Sequence, residues 1–350
     1  MNDRNASANP QRRALIGSAL TATTMSLAGF PRIAAAKDKL SLLYLPVTDY
    51  APFFVAKEKG YFDAYGLDLD LLPKDATAET VPLVASGRVT LGGASWAAGV
   101  FNAAAAGSGV TAVAGFARVP ARGRSSVHFM VSPALAAKGL GSPKDLKGKR
   151  IGVLGAGAFT VYFAAQALQS GGVALNDVQI VHLTMSTLGQ AFANGSIDAG
   201  VVFEPFATLF EDKNIARIVP GEFARGVDIG FILVNSDFLK AKEDVIVRTT
   251  AAYLRAAREL QAGGWKDPAT QAHILKYVKL DPAVLNRMGV SYIDESGALD
   301  MASIQAQEAF FRQAGQLAYS KPIDWAQFYR KDVVAKANAL LAKGSTANAR

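Results

Sequence analysis

Few residues in this sequence are of a type and spacing that could do bond-making chemistry. Cysteine is absent from all 350 positions, which excludes disulfides, thiolate metal sites, a cysteine nucleophile and a lipidated bacterial N-terminus. The three histidines, His128, His182 and His273, stand far apart and none belongs to an HExxH or similar ligand spacing, so no metal site is assigned. No nucleophile-elbow motif accompanies an ordered Ser, His and acid, and paired carboxylates cannot be argued from spacing alone, so no catalytic residue is assigned either. What remains are short polar and aromatic groups suited to holding a molecule. They are Thr48, Asp49 and Tyr50; Ser95 and Trp96; Gly157, Ala158, Phe159 and Thr160 in "GVLGAGAFT"; Glu204 and Phe206 around Pro205; and Arg118, with Arg122 and Arg124 beside it.

Each has a plain structural reading next to a functional one. The glycine turn could approach a pyrophosphate, but the third glycine position is Thr160 and the next strand ends "VHLTMS" without an acidic residue for a ribose, which argues against a dinucleotide. The same turn either permits tight strand-to-helix packing or presents bare N–H groups to a carboxylate or sulfonate. Ser95 either caps a helix or contacts a solute. Trp96 is either core or a pocket wall with one polar contact. Asp49 can cap, and Tyr50 can stack on a planar solute or hydrogen-bond it. Glu204 either favours a helix start or accepts from an amine, amide or ring N–H, or pairs with a basic residue across a cleft. The arginines are solvated, or one reaches an anion bidentately.

These groups cluster at the ends of expected strands. "LDLDLL" alternates between Gly66 and Pro73 and reads as a strand over 67–72,. Helix 51–59 precedes it, opened near Pro52 and closed at Gly60. Strand, helix and strand then alternate through "TAETVPLVASG", "VTLGGAS", "WAAGVFNAAAAG" and "TAVAGF". That rhythm predicts a parallel sheet with helices on both faces. It breaks at the Pro/Gly/Arg loop 117–126 and resumes with "SVHFMVS", "KRIGVLG", "AFTVYFAAQALQSGG", "VQIVHL", "LGQAFANG" with a capping box of Thr187 and Gln190, and "DAGVVF",. Amphipathic helices follow, with Asp267-Pro268 and Asp281-Pro282 as starts. In open parallel sheets ligands bind outside the carboxyl ends of strands, which points to turns 46–50, 93–96, 155–160, 184–187 and 204–206.

The first 36 residues differ from the rest. Arg12 and Arg13, a small-residue apolar stretch and "IAAAKD" make a cleavable secretory signal with mature protein starting near Lys37, with the arginine pair of twin-arginine export,. The net charge of +8 includes four Arg and one Asp from that segment, leaving +5. Moderate positive charge suits anionic ligands, and the clustered Lys/Arg with aromatics that nucleic acid would need is missing.

Four stretches, "APFFVAKEKGYFDAYGLDLDLL", "DLKGKRIGVLGAGAF" with "GGVALNDVQIVHL", "AFANGSIDAGVVFEPFA" and "KPIDWAQFY", together resemble the nitrate/sulfonate/taurine family of ABC-transporter substrate-binding proteins. The resemblance spans nearly all of the mature chain. It implies a type II periplasmic binding fold: α/β, with lobe one in 37–120 and 228–350, lobe two in 121–227, two crossovers between them, and the helical C-terminal region packed on lobe one. It implies a periplasmic, monomeric protein that binds a small solute without a cofactor and delivers it to a membrane permease and ATPase. In that family the glycine turn touches ligand, often through Ser or Thr hydroxyls. Here only Thr160 is hydroxylic and Phe159 is bulky, which favours an organic solute of sulfonate, carboxylate or pyrimidine type over an inorganic oxyanion. The alternatives are an enzyme on the same fold acting on a small heteroaromatic metabolite, and a secreted sensor partner.

Overall fold

The alternating stretch folds as expected: Leu67 and Leu69 are buried and Asp68 and Asp70 exposed along a strand, Leu67–Pro73. The computed structural model describes residues 36–74 and 79–347, so the expected signal segment lies outside the described residues. The strands are β1 (Asp38–Tyr44), β2 (Leu67–Pro73), β3 (Leu91–Ser95), β4 (Val110–Arg118), β5 (Val127–Val131), β6 (Arg150–Leu154), β7 (Gln179–Leu183), β8 (Ala199–Phe203), β9 (Arg217–Ile218) and β10 (Asp228–Asn235). They form two five-stranded sheets, ordered β2-β1-β3-β10-β4 and β7-β6-β8-β5-β9. The chain passes from the first to the second between β4 and β5, and returns between β9 and β10. Each sheet and its helices make one lobe.

Both sheets are mixed, which corrects the expectation of parallel sheets. β1 runs parallel to β2 and β3, but β10 lies antiparallel between β3 and β4. In the second sheet β5 is antiparallel to β8 and β9. All eight residues of β10 are buried. A continuous apolar run such as "IGFILV" fits a strand covered on both faces, and its periodicity carries no information about direction or partner.

The helices used below are α1 (Ala51–Glu58), α2 (Ala98–Ala106), α3 (Phe159–Ser170), α4 (Met185–Ala193), α5 (Phe206–Asp212), α6 (Glu243–Gln261), α7 (Met301–Gln313) and α8 (Lys331–Ala347). α1 has proline in its first turn, and Gly60 follows with φ +69°. α4 starts three residues before the expected point: Thr184 is its N-cap, and the Thr184 N–H donates to Thr187 Oγ1 at 3.1 Å. The earlier Thr-x-x-Thr carries the same capping pattern as the one read from Thr187. Asp267 and Asp281 cap the two short helices that begin at Pro268 and Pro282. α6 buries Val245, Ile246, Thr249, Tyr253, Ala256 and Leu260, a stripe at helical spacing that packs between α1 and α8 on the first lobe,.

Candidate functional site

The turn after β3 in the first lobe faces the turn after β6 in the second. The contact between them is direct. The Ala98 N–H, at the start of α2, donates to the Gly157 carbonyl at 2.8 Å. Gly157 has φ +61°, and a Cβ there would lie 2.9 Å from Ala98 Cβ. Only a bare backbone in this left-handed conformation lets the two lobes meet so closely. The lobes also touch through the rings of Tyr162 and Phe310, 5.3 Å apart and edge-on, and through Arg287 and Asp212, paired at 2.7 and 3.0 Å.

Beside this cleft the crossovers are tied down by Glu204. Its side chain is fully buried at the end of β8. Oε1 accepts from His128 Nε2 at 3.1 Å, Thr208 Oγ1 at 3.0 Å, Arg124 Nε at 3.3 Å and the Gly289 N–H at 3.3 Å, while Oε2 accepts from the Thr208 N–H at 2.9 Å. Burial alone would push this carboxyl up. The His128 ring and the Thr208 donors outweigh it and hold Glu204 below the usual range,. Gly289 belongs to this arrangement for a steric reason: a Cβ there would fall 1.8 Å from the Ser125 carbonyl oxygen. Glu204 thus pairs with Arg124 of its own lobe rather than with a basic residue across the cleft, and each of its oxygens accepts from at least one protein donor.

Asp49 is in the opposite situation. It lies in a 3-10 turn, Thr48–Tyr50, between β1 and α1, and no side chain caps α1. Asp49 Oδ1 accepts from Ser291 Oγ at 2.6 Å, and Ser291 Oγ lies 2.8 Å from Ser126 Oγ. Among the described residues Oδ2 has no protein donor, although Asp49 is only 8% exposed. Burial, opposed by the Ser291 hydroxyl, pushes its pKa up to about 6. The neighbouring Thr48 is 1% exposed, and its hydroxyl has no partner.

Several expected wall residues are interior instead. Tyr50 donates to the Gly93 carbonyl at 3.1 Å, and its ring packs edge-on against Tyr44 and Phe116. Trp96 is fully buried, stacked on Phe101 and Phe231 with Trp325 and Phe328 at its edge. Phe159 is 1% exposed. Phe206 is half-buried beside Phe210, and so is Phe203 at the end of β8. Thr160 spends its hydroxyl accepting from the Leu154 N–H at 2.9 Å, within its own turn. Ala158 is the N-cap of α3 and cannot cap with a side chain. Ser95 ends β3 and caps nothing, since Ala97 is the N-cap of α2.

Arg118 is not a free anion clamp. Its Nε donates to Asp228 Oδ1 at 2.6 Å, and Nη1 lies 3.9 Å from Asp294. Arg124 is held by Glu204 and Glu211. A cavity of about 320 Å³ opens beside the crossovers on the second lobe, and its Arg225 is likewise paired, with Glu222. Ser126, Ser291 and His128 were not singled out as site residues by sequence. Their partners are 76 to 242 positions away, so no local spacing could have flagged them.

Residues 47–263 match a family model described as NMT1/THI5 like. A Brucella abortus protein named only as a binding protein is 28% identical over 233 residues, covering 63% of this chain and 62% of its own length. The 4-amino-5-hydroxymethyl-2-methylpyrimidine phosphate synthase THI5 of Saccharomyces cerevisiae is 30% identical over 185 residues, 51% of this chain and 50% of that enzyme. The chain therefore spans half to about three fifths of the length of these curated relatives. Among solved structures, the alkanesulfonate-binding protein SsuA from Xanthomonas axonopodis pv. citri, bound to MOPS, aligns with a TM-score of 0.68 over 85% of this chain and 99% of that one, at 19% identity. This likeness shows the fold: α/β, of the type II periplasmic binding class, two lobes joined by two crossovers with the C-terminal helices on lobe one.

Proposed function

The chain belongs to the NMT1/THI5-like family, and from that premise we propose that it is the solute-binding component of an ABC importer rather than an enzyme. It encloses a small organic solute between its lobes and delivers it to a permease and ATPase at the inner membrane. It acts in the periplasm as a monomer, exported by a cleaved signal, without a cofactor. The observation that carries this reading is the Ala98 to Gly157 hydrogen bond. It joins the turns that follow strand ends in two lobes whose chain passes between them twice, which is a geometry in which a solute can select a closed form,. The yeast synthase shows that a relative can be an enzyme. Against that role here, His128, a general base by type, is buried and committed to Glu204.

A thermal-shift screen of the mature chain over sulfonates, aromatic carboxylates, pyrimidines, nitrate and taurine tests the proposal. A ligand at 100 times its Kd adds about 2.7 kcal/mol of apparent stability. The stabilising compound should be recovered chemically unchanged after prolonged incubation. Its conversion to a new product would make the chain an enzyme.

A further inference from the structure

The charge of the cleft narrows the solute class. The turns at the strand ends are "YLPVTDY" (44–50), "SWAA" (95–98), "LGAGAFT" (154–160), "LTMST" (183–187) and "FEPF" (203–206). They hold no lysine, arginine or histidine. Of the nearby crossover arginines, Arg118 is spent on Asp228 and Asp294 and Arg124 on Glu204 and Glu211, while Arg122 is exposed on the loop. Two carboxylates remain in these turns, and both oxygens of Glu204 already accept from protein donors. Asp49 keeps an oxygen that no protein donor reaches, next to the orphaned Thr48 hydroxyl. An anion placed beside Asp49 would meet a buried carboxylate, and like charges repel more strongly away from bulk water,. A donor would complete Asp49's hydrogen bonds instead.

Resting on the receptor reading above, we propose that the solute presents an N–H donor to Asp49 Oδ2 and carries no anionic group beside it. The class is an amine, a primary amide or an amino-substituted heterocycle, neutral or cationic, in place of the sulfonate or carboxylate that the positive net charge suggests. The titratable groups acting on Asp49 are Tyr50 in its own turn and Tyr253 on α6; burial pushes both phenols up, so they stay neutral. Ser291 and Ser126, from the other segments packed there, supply hydroxyls only.

The test is calorimetry and thermal shift on the full chain with two sets of probes. One holds alkylamines, primary amides and aminopyrimidines; the other holds alkanesulfonates, aromatic carboxylates and nitrate. Members of the first set should bind and raise the melting temperature. Asp49→Asn, which keeps the shape and the Ser291 contact, should weaken their binding at least tenfold, about 1.4 kcal/mol. Lys240→Ala, on the exposed surface of the first lobe, should change affinity by less than threefold. Binding confined to the anionic set, or donor binding indifferent to Asp49→Asn, overturns the assignment while leaving the receptor reading intact. A chain that binds no member of either set contradicts the receptor reading itself.

Discussion

Glu204 and Asp49 are two buried carboxylates at the ends of strands in facing lobes, and they differ in what surrounds them. Glu204 has five donors, one of them from the Gly289 backbone of the C-terminal region, and its pKa is lowered. Asp49 has one, and burial pushes its pKa up to about 6. A buried charge costs free energy unless hydrogen bonds replace its water. By that rule the five donors hold Glu204 in its charged form beside the crossovers, and Asp49, with a single donor, is shifted toward its protonated form,.

The comparison breaks most visibly through Glu204→Ala. It would leave Arg124, His128, the Gly289 N–H and the Thr208 N–H without their acceptor, and should destabilise the chain by about 3 to 5 kcal/mol in denaturant unfolding. A loss below about 1 kcal/mol would mean that Glu204 fastens nothing. Trp96→Ala should cost a similar 3 to 5 kcal/mol, because it empties space among four aromatic rings,. A stable Trp96→Ala protein that only lost solute affinity would return Trp96 to the cleft wall.

Asp49→Asn should act in the other direction and raise stability near neutral pH by up to about 3 kcal/mol, the worth of a two-unit pKa shift. The sign follows from proton binding. An aspartate has its ordinary pKa of 3.8 in the unfolded chain, and burial pushes Asp49 up to about 6 in the folded one, so between those values the folded chain holds more protons. Wild-type stability relative to Asp49→Asn should therefore fall as pH rises from about 4 to 6 and level off above. A difference that grows with pH would show that Asp49 is stabilised as an anion. The smallest effect is expected for Arg287→Ala. Its ion pair with Asp212 crosses the lobes, but the side chains are 54% and 37% exposed, and it should cost under about 1 kcal/mol.

Much of the fold was legible because its signals are local. The Leu/Asp alternation of β2, the Asp-Pro helix starts and the Gly60 exit are each decided within a few residues. The central antiparallel place of β10 was not, because it depends on where the returning chain enters a sheet already formed by distant strands. The site divided in the same way. Asp49 and Glu204 were visible as carboxylates at strand ends, and Gly157 as a bare turn. Which carboxylate has donors on both oxygens depends on Ser126, His128, Gly289 and Ser291, residues that reach them only through the folded hinge. The aromatic wall was misplaced for a related reason. Tyr50, Trp96 and Phe159 lie near strand ends in sequence, but their rings fill the lobe interiors, where apolar burial is worth most,.

Small-angle scattering of the full chain, with and without the probe that raises its melting temperature most, addresses the central claim of a receptor that closes on its solute. The solute-bound curve should match the present arrangement, in which Ala98 meets Gly157, and the solute-free chain should have a larger radius of gyration. Identical curves at saturating solute would contradict closure and leave a rigid two-lobed protein.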